Sequence, residues 1–277
     1  MSTTVIMTAL GEIEYRSVGK GTPILFLHGG HSNCQETLSY QGFDLEKYQL
    51  ITPSRPGYGK TPLGNNKTPQ QAASLMIALL EHLALEKIIV YGISAGGLTA
   101  IALAANHPRY VTKLILASAV SKKWLQADEK IYKTAQWIFN PSVEKITWGM
   151  VRVFSNIFPT MIARSFYPQF STKPLHKLAK KDVKTLITAM KYYSSGSGFL
   201  NDIDQSISDS ALAAIQCPTF IIHSKNDSSV PFEHALQAKE MIDDAKLVAL
   251  NNEWGHLFWI GSDTQEIIVK TIQFIEG

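Results

Sequence analysis

Strand-like and helix-like patterns of hydrophobic residues alternate along most of this chain. Hydrophobic and polar residues alternate over positions 5–17 around Gly11, which predicts a β-hairpin. Further strands are predicted at residues 23–28, 48–53, 87–91, 111–117, 219–223 and 246–251, and helices at about 69–83, 95–106, 232–242 and 263–275. Because strands that alternate with helices are joined by right-handed crossovers, the pattern predicts an α/β fold with a mostly parallel sheet.

The alternation is interrupted after Ser121. Residues 122–205 are helical in character but irregular, and several prolines break the pattern. We therefore predict a core of residues 1–121 and 206–277, with a helical insertion at 122–205 after its fifth or sixth strand. The length of 277 residues allows one large domain or two small ones, and this arrangement favours a single domain that the helical insertion interrupts.

Composition excludes several classes of protein. Hydrophobic residues make up 45% of the chain and charged residues 18%, which is typical of a globular protein. The net charge of +3 gives no indication of a nucleic-acid-binding surface. The two cysteines, Cys34 and Cys217, form no CxxC motif, so neither a disulfide framework nor a cysteine-based zinc site is expected.

The helical insertion differs from the remainder of the chain. It contains 13 of the 27 aromatic residues, and it carries 13 Lys/Arg against 6 Asp/Glu. Most of the aromatic residues are expected to form the insertion's own core, and a few to line an apolar pocket. Most of the basic side chains are expected to be solvated, while attraction of an anionic substrate or a membrane surface is the alternative.

Residues 88–105 form an uncharged stretch of a length that would admit a membrane helix. Gly92, Ser94, Gly96 and Gly97 interrupt it, so a buried strand that turns into a buried helix is the better interpretation. The first 17 residues have neither the basic nor the long apolar region of a signal peptide. We expect a cytoplasmic protein, monomeric or homodimeric, with no stable membrane insertion.

The candidate nucleophile is Ser94. It lies in Gly92-Ile-Ser-Ala-Gly96, a G-x-S-x-G motif between a predicted strand and a predicted helix. Such a serine occupies a tight, strained turn whose neighbours must lack large side chains. The N-terminus of the following helix directs backbone N–H groups and partial positive charge towards developing negative charge.

A serine nucleophile requires a base and an acid that orients it. His256 follows the last predicted strand, and Asp227 follows the strand before it, so both are expected at the carboxyl edge of the sheet. Asp202 and Asp204 are the alternative acids. The glycines of His28-Gly29-Gly30 allow an oxyanion hole in which the Gly30 and Ala95 amides are the donors.

The chain resembles the α/β-hydrolase fold family over essentially its whole length. The resemblance rests on residues 27–30 (LHGG), 54–59 (SRPGYG), 92–97 (GISAGG), 226–227 (ND) and 255–256 (GH). It implies a mostly parallel eight-stranded sheet flanked by helices, a helical cap after the sixth strand, and a triad of Ser94, Asp227 and His256 beneath the cap. Ser54 and Ser224 depart from the Asp and Gly common in relatives, at positions that affect turn geometry.

The resemblance narrows the expected activity. A serine at the nucleophile position excludes the branches that use Asp there, such as haloalkane dehalogenases and epoxide hydrolases. It also excludes the dienelactone hydrolases, which use Cys. Ala95 replaces the Trp that often follows the nucleophile in proline iminopeptidases. Esterases, thioesterases, lactonases and carbon–carbon bond hydrolases stay open, and so does a ligand receptor with an idle triad.

We expect cleavage of an ester-like bond in a small, partly hydrophobic substrate, without a metal or organic cofactor. Nucleic acid is not an expected partner. The candidate substrate contacts come from the oxyanion loop, the insertion and the loop of the candidate base: His28, Gly29, Trp137, Trp148, Phe158 and Leu257.

Overall fold

Eight strands form one sheet in the computed structural model, which describes residues 3–126, 128–140, 142–175 and 177–277. The strands are β1 Thr4–Thr8, β2 Gly11–Gly19, β3 Thr22–Leu27, β4 Tyr48–Pro53, β5 Ile88–Ile93, β6 Val111–Ala117, β7 Thr219–Ser224 and β8 Ala245–Leu250. Their order in the sheet is β1-β2-β4-β3-β5-β6-β7-β8. Only the β1–β2 and β2–β4 pairs are antiparallel, so the predicted mostly parallel sheet is confirmed.

Each face of the sheet is covered by its own hydrophobic cluster. Along β3, Leu25 and Leu27 pack into the first cluster, and Ile24 and Phe26 pack into the second cluster on the opposite face. Successive side chains of a strand point to opposite faces, so a strand covered on both sides must be apolar at every position. This accounts for the continuous apolar runs in the sequence.

Four helices flank the sheet where the sequence predicts them. They are α1 Pro69–His82, α2 Gly96–Asn106, α9 Glu233–Met241 and α10 Thr264–Glu276. Helix α1 begins with a capping box, in which Thr68 accepts the Gln71 N–H and Gln71 accepts the Thr68 N–H. Residues of α1, α2 and α9 pack in one cluster and residues of α10 in the other, so helices cover both faces.

Within the described ranges, six helices lie between β6 and β7, in and just beyond the predicted insertion. They are α3 Lys130–Ile138, α4 Glu144–Ile157, α5 Pro159–Phe166, α6 Lys180–Met190, α7 Gly198–Asp204 and α8 Asp209–Ala213. Helices α4, α5 and α6 contribute Trp148, Ala163 and Leu186 to the second cluster. The division into a core and a cap at residues 122–205 stays a prediction.

The uncharged stretch of residues 88–105 folds as β5 followed by α2. Among the residues that the structure describes, no helix has the length and apolar character needed to cross a membrane.

Candidate active site

Ser94 occupies a sharp turn between β5 and α2. Its φ is +50°, a left-handed conformation that is rare for residues other than glycine. A Cβ on Gly92 would lie 2.5 Å from Ala100 Cβ, and a Cβ on Gly96 would lie 2.2 Å from Leu27 O. The two glycines of the G-x-S-x-G pattern are therefore required by close packing, because α2 approaches position 92 and β3 approaches position 96 too closely for a side chain.

Asp227 and His256 come together in the loops after β7 and β8. His256 Nδ1 lies 2.7 Å from Asp227 Oδ2. The other carboxylate oxygen, Oδ1, accepts the backbone N–H groups of Ser229 and Val230, each at 2.8 Å. Burial raises the pKa of Asp227, but the neighbouring His256 and His223 outweigh this effect and lower the pKa to about 2. Asp227 is therefore an ionised acceptor, so His256 Nδ1 carries the hydrogen of this contact, and a ring that carries a hydrogen only at Nδ1 presents Nε2 as an acceptor.

His223 also contacts Asp227, a contact that the sequence motifs do not predict. Its Nε2 lies 2.9 Å from Val230 O and 3.2 Å from Asp227 Oδ2. Because a carbonyl oxygen only accepts, Nε2 carries the hydrogen and directs it at both oxygens. The one signal in the sequence was the position of His223 at the end of β7, four residues before Asp227.

The end of β6 links Ser94 to the loop of His256. The Ser94 N–H donates to Ala117 O at 3.1 Å, and the next residue, Ser118, donates from Oγ to His256 O at 3.0 Å. Among the described residues, no group forms a hydrogen bond to Ser94 Oγ. In the part of the chain that the structure describes, Ser94 Oγ and His256 are therefore not joined by a hydrogen bond.

The loop after β3 passes directly over Ser94. A Cβ on Gly29 would lie 3.0 Å from Ser94 Cβ, and a Cβ on Gly30 would lie 2.9 Å from Phe199 Cδ2. Within the described chain, the Gly30 and Ala95 amides donate to no other residue. Unpaired amides in this loop and at the start of α2 are what an oxyanion hole requires.

His28 supports this loop from inside the protein. It is fully buried, its Nδ1 lies 2.7 Å from Gly29 O, and its Nε2 accepts the Arg55 N–H at 3.0 Å. Burial, with a smaller contribution from Arg55, lowers the pKa of His28 well below its ordinary value. Both ring nitrogens of the neutral side chain already have hydrogen-bond partners. His28 therefore holds the loop in position, and neither nitrogen is free to bind a substrate.

The structure separates the large apolar residues that were predicted to contact substrate. Trp148 and Leu257 are buried in the second cluster. Trp137 is 74% exposed and Phe158 is 50% exposed. Trp137 and Phe158 are thus largely exposed, because the number of aromatic residues in a helical segment does not indicate which helix face turns inward, and their contact with substrate stays a prediction.

His31 joins the loop after β3 to the segment between β6 and β7. Its Nδ1 lies 2.7 Å from Ser195 Oγ, which also accepts Trp148 Nε1–H at 2.8 Å. Its ring centroid lies 3.8 Å from that of Phe199. Burial lowers the pKa of His31 to about 3, so the ring is neutral at pH 7.

The alternative acids are engaged elsewhere. Asp202 forms an ion pair with Arg55, and Asp204 accepts a hydrogen bond from Tyr132 at 2.6 Å. In the described ranges, no three His, Cys, Asp or Glu side chains are grouped as a metal site.

Comparisons with known proteins identify the family of the chain. The family described as alpha/beta hydrolase fold matches residues 22–260. Uncharacterized hydrolase YcgS of Bacillus subtilis (strain 168) is 40% identical over 273 residues, 96% of each chain. A 2-hydroxy-6-oxo-2,4-heptadienoate hydrolase of Pseudomonas putida (strain F1) is 24% identical over 243 residues, 85% of this chain and 83% of its own.

A similar solved structure is an alpha/beta hydrolase fold protein from Nakamurella multipartita. It has a TM-score of 0.80 and 27% identity, and the match covers 99% of this chain and 98% of that one. The resemblance seen in the motifs is confirmed by the family match and by the eight-stranded sheet. The chain belongs to the alpha/beta hydrolase fold family.

Proposed function

We propose that this protein is a serine hydrolase that cleaves an ester-like bond in a small, at least partly hydrophobic substrate. The observation that carries the proposal is the 2.7 Å contact between His256 Nδ1 and Asp227 Oδ2. This contact fixes the tautomer in which Nε2 can accept a proton, in a loop joined to the strand end that also holds Ser94.

The proposed reaction begins with proton transfer from Ser94 Oγ to His256 Nε2 as the oxygen attacks the carbonyl carbon. The carbonyl electron pair moves to its oxygen, which the Gly30 and Ala95 amides stabilise. The tetrahedral intermediate then expels the alcohol, whose oxygen takes the proton from His256. Water, deprotonated by His256, attacks the acyl group, and the acid leaves as Ser94 regains its proton.

Asp227 has two tasks in this proposal. It holds the His256 ring in the required tautomer, and its negative charge stabilises the imidazolium that forms during each proton transfer. The two backbone N–H groups that Oδ1 accepts and the nearby His223 keep the carboxylate ionised. The buried environment strengthens each of these interactions relative to water.

Hydrolysis of a carbon–carbon bond is the second candidate. The specific observation that favours it is the alignment of 85% of the chain with a relative named as a 2-hydroxy-6-oxo-2,4-heptadienoate hydrolase. Such a reaction would use the same three side chains on a vinylogous diketone, so the choice depends on the substrate pocket.

The proposal is tested by labelling with a fluorophosphonate probe and by two substrate assays. We expect labelling at Ser94, turnover of p-nitrophenyl esters, and a loss of about 10⁶ in kcat for Ser94→Ala. Ser262→Ala, which removes an exposed serine, is the matched control and should retain both labelling and activity.

The possible outcomes separate the candidates. Labelling at Ser94 with turnover of a ring-cleavage product but no ester would favour the carbon–carbon hydrolase. A folded wild-type protein that the probe does not label at Ser94 would contradict both enzymatic candidates. The ligand receptor with an idle triad would then be the interpretation that stays.

A further inference from the structure

Helix α4 and the start of α5 carry a row of large apolar side chains that face solvent. Ile146, Met150, Val153 and Ile157 are spaced by four, three and four residues, so they lie on one side of α4. We call the following set the outer cap face: Ile146, Met150, Val153, Phe154, Ile157, Phe158 and Met161. All seven are 44–62% exposed, although several such residues together are uncommon on a free protein surface.

The chain around this face contains basic residues and no acidic ones. Residues 145–181 include seven Lys or Arg and no Asp or Glu. Glu144, which precedes them, is buried and accepts the Ser195 N–H at 3.1 Å. Lys145 and Arg164 are exposed on α4 and α5, next to the apolar residues. The outer cap face is therefore apolar with a basic border, and residues 145–181 supply no carboxylate to it.

This combination matches the surface of an anionic lipid bilayer. An amphipathic helix of this type lies in the interface, with its apolar side at the boundary of headgroups and acyl chains and its basic residues near phosphates. Helix α4 has 14 residues and is about 21 Å long, shorter than the hydrocarbon core of about 30 Å. It can therefore lie on a bilayer but cannot cross one.

A second copy of the chain fits the face less well. In a two-fold symmetric dimer the same patch would be present on both sides of the interface. The basic borders of the two copies would then oppose each other, with no acidic residue from positions 145–181 to neutralise them. An anionic bilayer supplies both the apolar layer and the opposite charge.

We propose that the outer cap face binds the surface of membranes that contain anionic phospholipid. The proposal is independent of the reaction at Ser94, because it depends only on the apolar side chains and basic border of α4 and α5.

The test is flotation of the full-length protein with vesicles of phosphatidylcholine, with and without phosphatidylglycerol. We expect binding to the anionic vesicles, weaker binding at high salt, and little binding to phosphatidylcholine alone. Met150→Gln combined with Ile157→Gln should weaken binding about tenfold or more. Lys145→Gln combined with Arg164→Gln should weaken binding and reduce its salt dependence.

The matched control is Met7→Gln, which replaces a 71% exposed apolar residue on β1, outside the outer cap face, and should bind as the wild type does. Circular dichroism verifies that each variant is folded, whatever the lipid result. Absence of wild-type binding to anionic vesicles would overturn the proposal, and so would equal binding to neutral vesicles. A dimer that dissociates in Met150→Gln/Ile157→Gln, without lipid binding, would assign the face to a second copy.

Discussion

Arg55 forms a two-pronged ion pair with Asp202, a residue 147 positions later in the chain. Nη1 lies 2.9 Å from Oδ1, and Nη2 lies 2.7 Å from Oδ2. Arg55 Nε also donates to His28 O at 2.7 Å, and Tyr58 OH donates to Asp202 Oδ2 at 2.6 Å. All of these groups are buried. Because Arg55 contacts both Asp202 of α7 and His28 O, the ion pair connects α7 to the loop that passes over Ser94.

Removal of this pair is expected to be costly. Asp202→Ala leaves a buried guanidinium without its counter-ion, and we expect the free energy of unfolding to fall by about 3–5 kcal/mol. Glu46→Ala is the matched control because it breaks the exposed Lys20–Glu46 pair, at a cost of about 1 kcal/mol or less. Urea unfolding measures both values, and similar costs for the two variants would contradict the role assigned to the buried pair.

Two helical glycines should respond in opposite ways to replacement by alanine. A Cβ on Gly96 would meet Leu27 O at 2.2 Å and His28 O at 2.6 Å, so we expect Gly96→Ala to destabilise the protein by about 1–3 kcal/mol or more. Gly149, within α4, has open space at its Cβ, and Gly149→Ala should stabilise by about 0.5–1 kcal/mol. Thermal unfolding compares them, and an unchanged Gly96→Ala midpoint would show that the two backbones can separate.

The stability of the protein should depend on pH through His31. Burial lowers the folded-state pKa of His31 to about 3, below the unfolded value of about 6.5. Between these values the unfolded state binds the extra proton, so the free energy of unfolding falls as pH falls from about 6.5 towards 3. One such group contributes a slope of at most about 1.4 kcal/mol per pH unit.

Replacement of His31 tests this contribution. His31→Asn should give a shallower decline in urea-unfolding free energy between about pH 7 and pH 4, because the residue that must be protonated is gone. The decline should not vanish, since burial also lowers the pKa of His234, to about 4, and that of His28. His82→Asn, at an exposed position at the end of α1, should keep the wild-type slope, and an equal slope for His31→Asn would contradict the prediction.

Asp227→Asn should impair the reaction more than the fold. An amide nitrogen next to His256 Nδ1 favours the tautomer with the hydrogen on Nε2, which cannot accept the proton of Ser94. We expect kcat for an ester substrate to fall by about 10⁴ at neutral pH. Asp204→Asn, in the exposed pair with Tyr132, is the control and should retain activity. Comparable activity in both variants would remove Asp227 from the proposed mechanism.

Local patterns in the sequence were sufficient to predict the sheet and the sharp turn that holds Ser94. The apolar runs that become β3 and β5 reflect burial on both faces, and the glycines around Ser94 reflect a turn in which Gly92 and Gly96 meet neighbouring backbone or side chain directly. Both signals lie within a few residues of the feature that they predict. The chain order of Ser94, Asp227 and His256 likewise placed the last two in loops at one edge of the sheet.

The remaining features depend on side-chain positions and on contacts across the fold, which only the tertiary structure decided. His223 reaches Asp227 because β7 ends beside the loop that holds the acid, and His31 reaches Ser195 across 164 residues. The outward position of Trp137 follows from helix orientation, which residue type does not encode. The sequence by itself determined the α/β fold and which residues could perform the chemistry. Packing decided which polar groups are buried together and which apolar side chains face solvent, because burial and pairing depend on the neighbours that the fold supplies.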